Sequence, residues 1–157
     1  MNIGIILPYK ENYSNFGAGA VSLWVKDFLK YTKYKKSVTI FGQSNSKNKK
    51  FSKNFYNIKM NDLNFFKSNT KTYCEKILSV MNNKKFDIIE IHNRPNVVNY
   101  FYKKTNSKII LYLHNDPLTM KGSKTASERN KLLKKFEKII FISKWVKNKF
   151  FEQIKNI

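Results

Sequence analysis

The sequence predicts an α/β fold in which a parallel sheet is covered by helices on both faces. Short runs rich in β-branched residues alternate along the chain with segments whose apolar residues recur every three or four positions. This alternation is typical of parallel strands joined by helical crossovers. A length of 157 residues and a hydrophobic content of 41% suit a single domain with its own core.

Six runs are predicted as strands, and they comprise residues 2–7, 37–41, 55–58, 87–91, 108–113 and 138–142. The third of these depends on alternation over only four residues, whereas the other five are rich in β-branched and other apolar residues and are bounded by polar residues, glycine or proline. Even without the third run, five strands with interleaved helices predict a Rossmann-like sheet with helices on both faces.

Helical spacing recurs between the strands. One helix is expected after Gly19, a second over residues 73–81, and three more near Pro95, at Ser127 and at Ser143. The serines are expected to cap their helices, because a hydroxyl oxygen accepts a hydrogen bond from a first-turn N–H. The apolar face of the first helix consists of Val21, Trp24, Val25, Phe28 and Leu29. The apolar face of the helix at Ser127 consists of Leu132, Leu133 and Phe136.

The chain is strongly basic, since 31 basic and 10 acidic side chains give a net charge of +21. Such a charge attracts polyanions, nucleotide phosphates or anionic lipid headgroups. Only Arg94 and Arg129 are arginines, and arginine is the residue that most often reads guanine, so specific DNA recognition is not predicted. Lysine and asparagine occur along the whole chain, and an AT-biased coding sequence with a solvated lysine surface explains them equally well.

The lone Cys74 excludes an internal disulfide and a cysteine-based zinc site, and it fits a reducing compartment. It lies in the apolar stripe of the second helix, so we expect a buried, inert thiol. No apolar run approaches the ~18 residues of a membrane span, and the run at residues 3–7 is too short for the core of a signal peptide. A cytoplasmic protein is expected.

Peripheral contact with the inner face of an anionic membrane is an alternative that the charge favours. The candidate elements are the lysine-rich loop 47–53 and the exposed sides of the first and last helices. The last helix carries Lys144, Lys147 and Lys149 beside Trp145, Phe150 and Phe151. Core packing, or contact with another domain, explains these aromatic residues equally well.

In parallel sheets, ligands bind beyond the carboxyl ends of the strands, so the residues that follow each strand are the first candidates for a site. The first such corner contains Gly17, Ala18 and Gly19, directly before the first helix. Small residues there let a diphosphate approach backbone N–H groups and the positive end of the helix dipole. The turn matches neither the G-x-G-x-x-G fingerprint nor a P-loop, and a tight packing turn is the alternative.

The second and third corners each contain a histidine at the end of a strand. His92 is followed by Asn93 and Arg94, whose planar guanidinium suits phosphate or carboxylate. The third corner consists of His114, Asn115 and Asp116. A single histidine at such a place is more often a structural hydrogen-bonding residue, but two at adjacent corners favour a site. A metal site that uses both histidines and Asp116 is the weaker explanation, because no short-spaced ligand motif is present.

These corners resemble those of the N-terminal domain of a GT-B glycosyltransferase, of the retaining group called group 1 or family 4. The segments that carry the resemblance are NIGIILP, NFGAGAVSLWVKDFLK, DIIEIHNRP, IILYLHNDP and EKIIFISKWVKNKFFE, and together they span nearly the whole chain. The resemblance implies transfer of a hexose-type unit from a nucleotide-diphosphate sugar to a hydroxyl of a glycan or lipid-linked acceptor, with retention and without a metal or cofactor.

The resemblance also implies roles for individual residues. His114 would hydrogen-bond the transferred sugar, and Asp116 would hold the turn or a sugar hydroxyl. The donor diphosphate would lie beside Gly17, Ala18 and Gly19. The acceptor side of the cleft would consist of His92, Asn93, Arg94 and Asn115.

Members of that family carry a second Rossmann domain that holds the nucleotide and supplies paired glutamates. We expect this chain to be the acceptor-side half, inactive or nearly so without a separate donor domain. The rival class is a non-enzymatic basic module that binds RNA or another polyanion. Charge supports this rival, although the aromatic residues lie mostly at core spacings and form no stacking platform that the sequence reveals.

Overall fold

In the computed structural model, residues 1–45, 51–60, 68–82 and 84–154 are described. Within them six strands form one sheet, namely β1 (Ile3–Ile6), β2 (Val38–Gly42), β3 (Phe55–Asn57), β4 (Ile88–His92), β5 (Lys108–Leu113) and β6 (Lys138–Phe141). All pairs are parallel, and the order across the sheet is β3-β2-β1-β4-β5-β6. The helices are α1 (Ala20–Tyr31), α2 (Asn69–Met81), α3 (Val98–Tyr102), α4 (Ala126–Leu133) and α5 (Lys144–Phe151). The predicted α/β class is confirmed.

The strands are buried apolar runs because both faces of a parallel sheet are covered. Ile5, Ile40, Ile89 and Leu111 are fully buried on four neighbouring strands. All six predicted runs form strands, and no strand end is displaced by more than one residue. The short third run is confirmed as edge strand β3, in which Phe55 pairs with Ile40.

The helices lie on both faces because the chain changes direction across the sheet. β1 leads through α1 to β2 on one side, whereas β4 leads through α3 to β5 on the other. Since such crossovers are right-handed, α1 and α3 are placed on opposite faces. Two separate hydrophobic clusters confirm this, one containing Val25 of α1 with Ile5 and the other Phe101 of α3 with Ile89. In parallel sheets, such a change of direction is the place where a ligand crevice typically forms at the carboxyl ends of the strands.

The sequence predicts a serine cap for two helices, α4 and α5, and the prediction for α4 is wrong. Ser143 caps α5 as predicted, because its hydroxyl accepts a hydrogen bond from the N–H of Val146. Ser127 does not cap α4. That helix starts at Thr125, whose hydroxyl accepts from the N–H of Glu128 while the Glu128 carboxylate accepts from the N–H of Thr125. This reciprocal pair satisfies two free donors, which a serine inside the first turn would not do.

Two helical segments are shorter than their apolar spacing predicts. α4 ends at Leu133, so Phe136 lies beyond the helix, although its side chain still packs against the core. The segment from Pro95 forms a 3-10 turn over Pro95–Val97 before α3. Proline fits this first turn because its missing N–H has no partner in a helix start.

Cys74 lies on the inner face of α2 and is fully buried. Burial raises the pKa of its thiol to about 12, since a thiolate would lose its hydration there. The expected burial of the thiol is confirmed, and a raised pKa is consistent with an unreactive side chain.

Arg129 is a buried structural residue that the sequence did not reveal. Its guanidinium donates to the carbonyl oxygens of Ser123 and Lys124, each at 2.9 Å, and to that of Glu152. Burial lowers its pKa, while nearby carboxylates oppose the shift. The side chain therefore joins the loop before α4 to the end of α5.

The last helix, α5, which was considered for membrane contact, has both exposed and buried aromatic residues. Trp145 is 54% exposed, whereas Phe150 is fully buried and Phe151 is half-buried. Part of the lysine-rich loop, residues 47–50, lies outside the described residues. Among the helices that the structure describes, none has the length and apolar content to cross a bilayer.

Candidate functional site

The two histidines of the chain meet at the carboxyl edge of the sheet. His92 is the last residue of β4, and His114 directly follows β5. The Nδ1 atom of His92 lies 3.0 Å from the Nε2 atom of His114, which is hydrogen-bond distance. The neighbouring positions of β4 and β5 in the sheet explain this contact, because the ends of adjacent parallel strands lie side by side.

Trp24 of α1 covers the histidine pair. Its ring centroid lies 5.5 Å from that of His92 and 5.4 Å from that of His114. Tyr112 completes the enclosure by stacking on His92, with centroids 4.6 Å apart and planes 3° from parallel. The first turns of α1, and hence the glycine turn before it, therefore lie at the same corner of the molecule as both histidines. The spacing of Trp24 had indicated only a core position.

The two imidazoles differ in exposure. His92 is fully buried, and this lowers its pKa, although the Glu90 and Glu11 carboxylates oppose the shift. His114 is half-buried, and burial together with the neighbouring His92 lowers its pKa to about 4. Both rings are therefore neutral at pH 7, and each has one donor and one acceptor nitrogen.

His92 corrects one sequence-based expectation. The ring was expected to face the acceptor directly, but at 0% exposure it offers no surface to a ligand. Trp24, Tyr112 and His114 enclose it instead. His92 can influence a ligand only through His114.

The turn before α1, residues 17–19, has glycine at two positions for different physical reasons. Gly17 has a φ of +64°, the left-handed region that residues with a Cβ rarely adopt. Gly19 lies against Glu11, and a Cβ at that position would overlap the carboxylate. Between them, Ala18 is half-buried. The space that the missing Cβ leaves is filled by an acidic side chain of the same chain.

Glu11 binds the start of α1. Its Oε1 atom accepts a hydrogen bond of 2.9 Å from the N–H of Ser22, in the first turn. The N-cap residue Gly19 has no side chain to accept such a bond, so the distant carboxylate takes that role. The Glu11 carboxylate therefore lies at the place where the sequence predicts a donor phosphate.

Asn93 holds the second and third corners together. Its side-chain Oδ1 accepts from the N–H of His114 at 3.0 Å, and its own N–H donates to the carbonyl of Tyr112 at 2.9 Å. Its φ of +54° is tolerated better by asparagine than by most residues. At 6% exposure, Asn93 positions His114 and presents little surface to a ligand.

Arg94 and Asn115 are exposed beside an open cavity of about 300 Å³. The Arg94 guanidinium donates only to the carbonyl of Asn93 at 3.0 Å, which leaves most of its donors available among the described residues. Lys121 and Thr119 line the same cavity. The cavity therefore combines two cationic side chains with neutral hydrogen-bonding groups.

Asp116 holds the turn after the third corner. Its Oδ1 atom accepts from the N–H of Leu118 at 2.9 Å, and its carbonyl accepts from the Thr119 hydroxyl at 2.8 Å. This capping occupies one carboxylate oxygen and leaves the other without a hydrogen bond in the described part of the chain. Of the two roles expected for Asp116, the structure displays the holding of the turn.

Across the described ranges, no three histidine, cysteine, aspartate or glutamate side chains lie close enough to hold a metal ion. Glu90, to which the sequence analysis assigns no role, lies buried beside His92 with its Oε2 atom 3.8 Å from Nε2 of that ring. An acidic residue two positions before a strand-end histidine lies on the same face of the strand, and that period was the available signal.

No model of a known protein family matches this chain, and no curated protein sequence is significantly similar to it. The function therefore has to be inferred from the site itself.

Proposed function

We propose that the chain is the acceptor-side half of a retaining glycosyltransferase. The reaction is transfer of a hexose-type unit from a nucleotide-diphosphate sugar to a hydroxyl of a glycan or lipid-linked acceptor. The observation that supports it most is the packing of Trp24 against both histidines, at 5.5 and 5.4 Å between ring centroids. This contact brings the glycine turn and the two histidine corners to one edge of the sheet, where α/β proteins bind ligands.

The exposed groups of this edge suit a sugar and an anion. In the proposed reaction the neutral imidazole of His114 hydrogen-bonds a sugar hydroxyl, while Asp116 keeps its turn in place. Arg94 and Lys121 attract an anionic acceptor, such as one that carries phosphate, into the cavity that Asn115 also lines. The functional groups are thus divided between a neutral sugar contact and a cationic acceptor contact.

The donor diphosphate is proposed to bind at Gly17, Ala18 and Gly19 by replacing Glu11 at the start of α1. The N–H of Ser22, now bonded to the Glu11 carboxylate, would then donate to phosphate oxygen. A separate donor domain, as the resemblance implies, would hold the nucleotide and complete the cleft. The net charge of +21 favours an anionic acceptor or membrane surface as a further partner.

Ligand binding separates this proposal from the polyanion-binding alternative. We would record saturation-transfer NMR spectra with UDP-glucose, GDP-mannose and a panel of simple glycans, and measure binding of a single-stranded RNA at two salt concentrations. The proposal expects a response to a nucleotide sugar or glycan that His114→Ala weakens and the distant Glu137→Gln leaves unchanged. Tight RNA binding that falls steeply with salt, with no response to any sugar, would instead establish the rival.

A further inference from the structure

Two buried polar atoms next to the histidine pair have no hydrogen-bond partner in the described part of the chain. They are Oε2 of Glu90 and Nε2 of His92, which lie 3.8 Å apart. Glu90 is only 6% exposed and His92 is fully buried. Buried polar atoms without a partner are rare in folded proteins and require an explanation. The simplest explanation is that the two atoms face each other, with an N–H of His92 directed towards the Glu90 carboxylate.

The position of the His92 proton follows from this arrangement. A neutral His92 with its proton on Nε2 directs an N–H towards the Glu90 carboxylate, which is attractive. With the proton on Nδ1, the ring would direct a lone pair towards that carboxylate, which is repulsive. Glu11, a second negative charge acting on His92, adds to the preference for N–H towards the carboxylates. Tyr112, the other titratable group packed on the ring, stays protonated because its pKa is raised to about 12.

The proton on His92 in turn sets the proton on His114. With Nε2 protonated, the Nδ1 atom of His92 is an acceptor, and the atom facing it at 3.0 Å is Nε2 of His114. That nitrogen must then carry the proton of His114. The remaining nitrogen, Nδ1 of His114, is then unprotonated. It has no hydrogen-bond partner among the described residues, and it is accessible to solvent, since it does not belong to the buried atoms that lack a partner.

We propose a relay, consisting of the electrostatic contact between Glu90 and His92 at 3.8 Å and the hydrogen bond between His92 and His114, that holds His114 in the Nε2-protonated tautomer and presents its Nδ1 atom as a hydrogen-bond acceptor. Glu90 and His92 are positioning residues, since both side chains are buried and act on a ligand only through His114. The group that binds His114 must then be a donor, such as an alcohol, rather than an ether oxygen or a fully ionised phosphate. This last step depends on the proposed function, in which the ligand at His114 is a sugar hydroxyl.

The tautomer is measurable in the free protein by long-range ¹H–¹⁵N correlation of the imidazole rings at pH 7. We expect the signature of a protonated Nε2 and an unprotonated Nδ1 for both His92 and His114. Protonation of Nδ1 in His114 would overturn the relay, whatever the protein binds.

Variants separate the relay from a general structural role. Glu90→Gln removes the charge, and its amide can direct either its oxygen or its NH2 group towards Nε2 of His92, so the preference for one His114 tautomer should weaken. Glu90→Leu removes the acceptor, and His92→Phe removes the ring nitrogen that His114 bonds, so each should give a mixture of His114 tautomers. Glu137→Leu, at an exposed carboxylate far from the site, should leave the spectrum unchanged. An unaltered His114 tautomer in both Glu90→Leu and His92→Phe would refute the relay, and the wild-type spectrum decides the point if either variant does not fold.

The ligand consequence has its own probes. Methyl α-glucopyranoside should shift the His114 signals, and its fully O-methylated analogue should bind at least about fivefold more weakly, the loss of one hydrogen bond. Equal binding of the two sugars would refute the acceptor role of Nδ1. If neither sugar binds while the expected tautomer is observed, the relay stands and the proposed function fails.

Discussion

Removal of the Glu11 carboxylate tests how the start of α1 is stabilised and whether that start can bind a phosphate. Glu11 accepts a hydrogen bond from the N–H of Ser22 at 2.9 Å, and it lies against Gly19. The residue at the N-cap has no side chain, so no other side chain of the described residues takes this place. Glu11→Ala removes both the acceptor and the charge, whereas Glu11→Gln removes the charge alone.

The expected magnitude combines two contributions. Loss of an N-terminal capping acceptor costs about 1 kcal/mol. Loss of a negative charge at the positive end of a helix dipole costs about 0.5–1 kcal/mol. Glu11→Ala should therefore lower the free energy of unfolding by about 1.5–2 kcal/mol, and Glu11→Gln by about 0.5–1 kcal/mol. For a chain of this length these values correspond to Tm decreases of about 3–8 °C and about 1–4 °C.

Thermal unfolding followed by circular dichroism measures both effects. The same experiment with added pyrophosphate tests the donor-phosphate proposal, because removal of the carboxylate leaves the N–H of Ser22 free. Pyrophosphate should then raise the Tm of Glu11→Ala by more than that of the wild type, since a ligand stabilises the state that binds it.

The matched control is Glu137→Gln, at an exposed carboxylate paired with Lys108 at 3.1 Å. An exposed ion pair contributes little, so its Tm should change by about 1 °C or less. Equal Tm values for wild type and Glu11→Ala would refute the capping role. A pyrophosphate effect of the same size in both proteins would refute the idea that Glu11 and a phosphate compete for one place.

Three further predictions concern single residues. The pKa of His114 is lowered from 6.5 to about 4, so between these pH values the imidazole binds a proton in the unfolded chain but not in the folded chain. The urea midpoint should therefore fall as the pH drops from about 6.5 to about 4, and His114→Gln should make that decline less steep. Arg129→Met leaves three carbonyl oxygens, including that of Glu152, without their donor, and chemical unfolding should show a loss of about 3 kcal/mol. Gly122→Ala combines a φ of +91° with a Cβ only 2.8 Å from the backbone nitrogen of Asn96, and the loss should be about 2–3 kcal/mol.

Each of these has a control or a contrary outcome. An unchanged pH dependence in His114→Gln would contradict the lowered pKa. Lys131→Met changes an exposed cation on the same helix as Arg129 and should stay within about 0.5 kcal/mol of wild type. Gly17→Ala shares the positive φ of Gly122 but meets only a side-chain atom at 3.6 Å, so it should cost about 1 kcal/mol. Equal losses at Gly17 and Gly122 would contradict the contact with Asn96.

The sheet was predictable because strands and crossover helices have local periods. The runs that became β1 and β5 are almost entirely apolar, as is typical of strands buried on both faces. Helix boundaries were less predictable, because they depend on which hydroxyl reaches a free N–H. At α4 the Thr125–Glu128 pair is visible in the sequence as T-x-x-E, a capping-box signal that the prediction of a cap at Ser127 does not include.

Contacts between distant segments could not be predicted. The bond from Ser22 to Glu11 joins residues eleven positions apart through an irregular loop, and no period marks it. The contact of Arg129 with the carbonyl of Glu152 likewise joins two elements whose relative placement depends on packing. Neither residue differs in its local sequence from an exposed charged residue.

From the order and period of its residues alone, this chain was determined to be a parallel α/β sheet with both histidines at strand ends. Only the tertiary structure decided that His92 is fully buried while His114 is half-buried. Both histidines have the same local signal, an apolar strand followed by asparagine. The ring of Tyr112 distinguishes them, since its centroid lies 4.6 Å from that of His92 and 6.2 Å from that of His114. Side chains from other elements thus determine which of two equivalent positions loses its water.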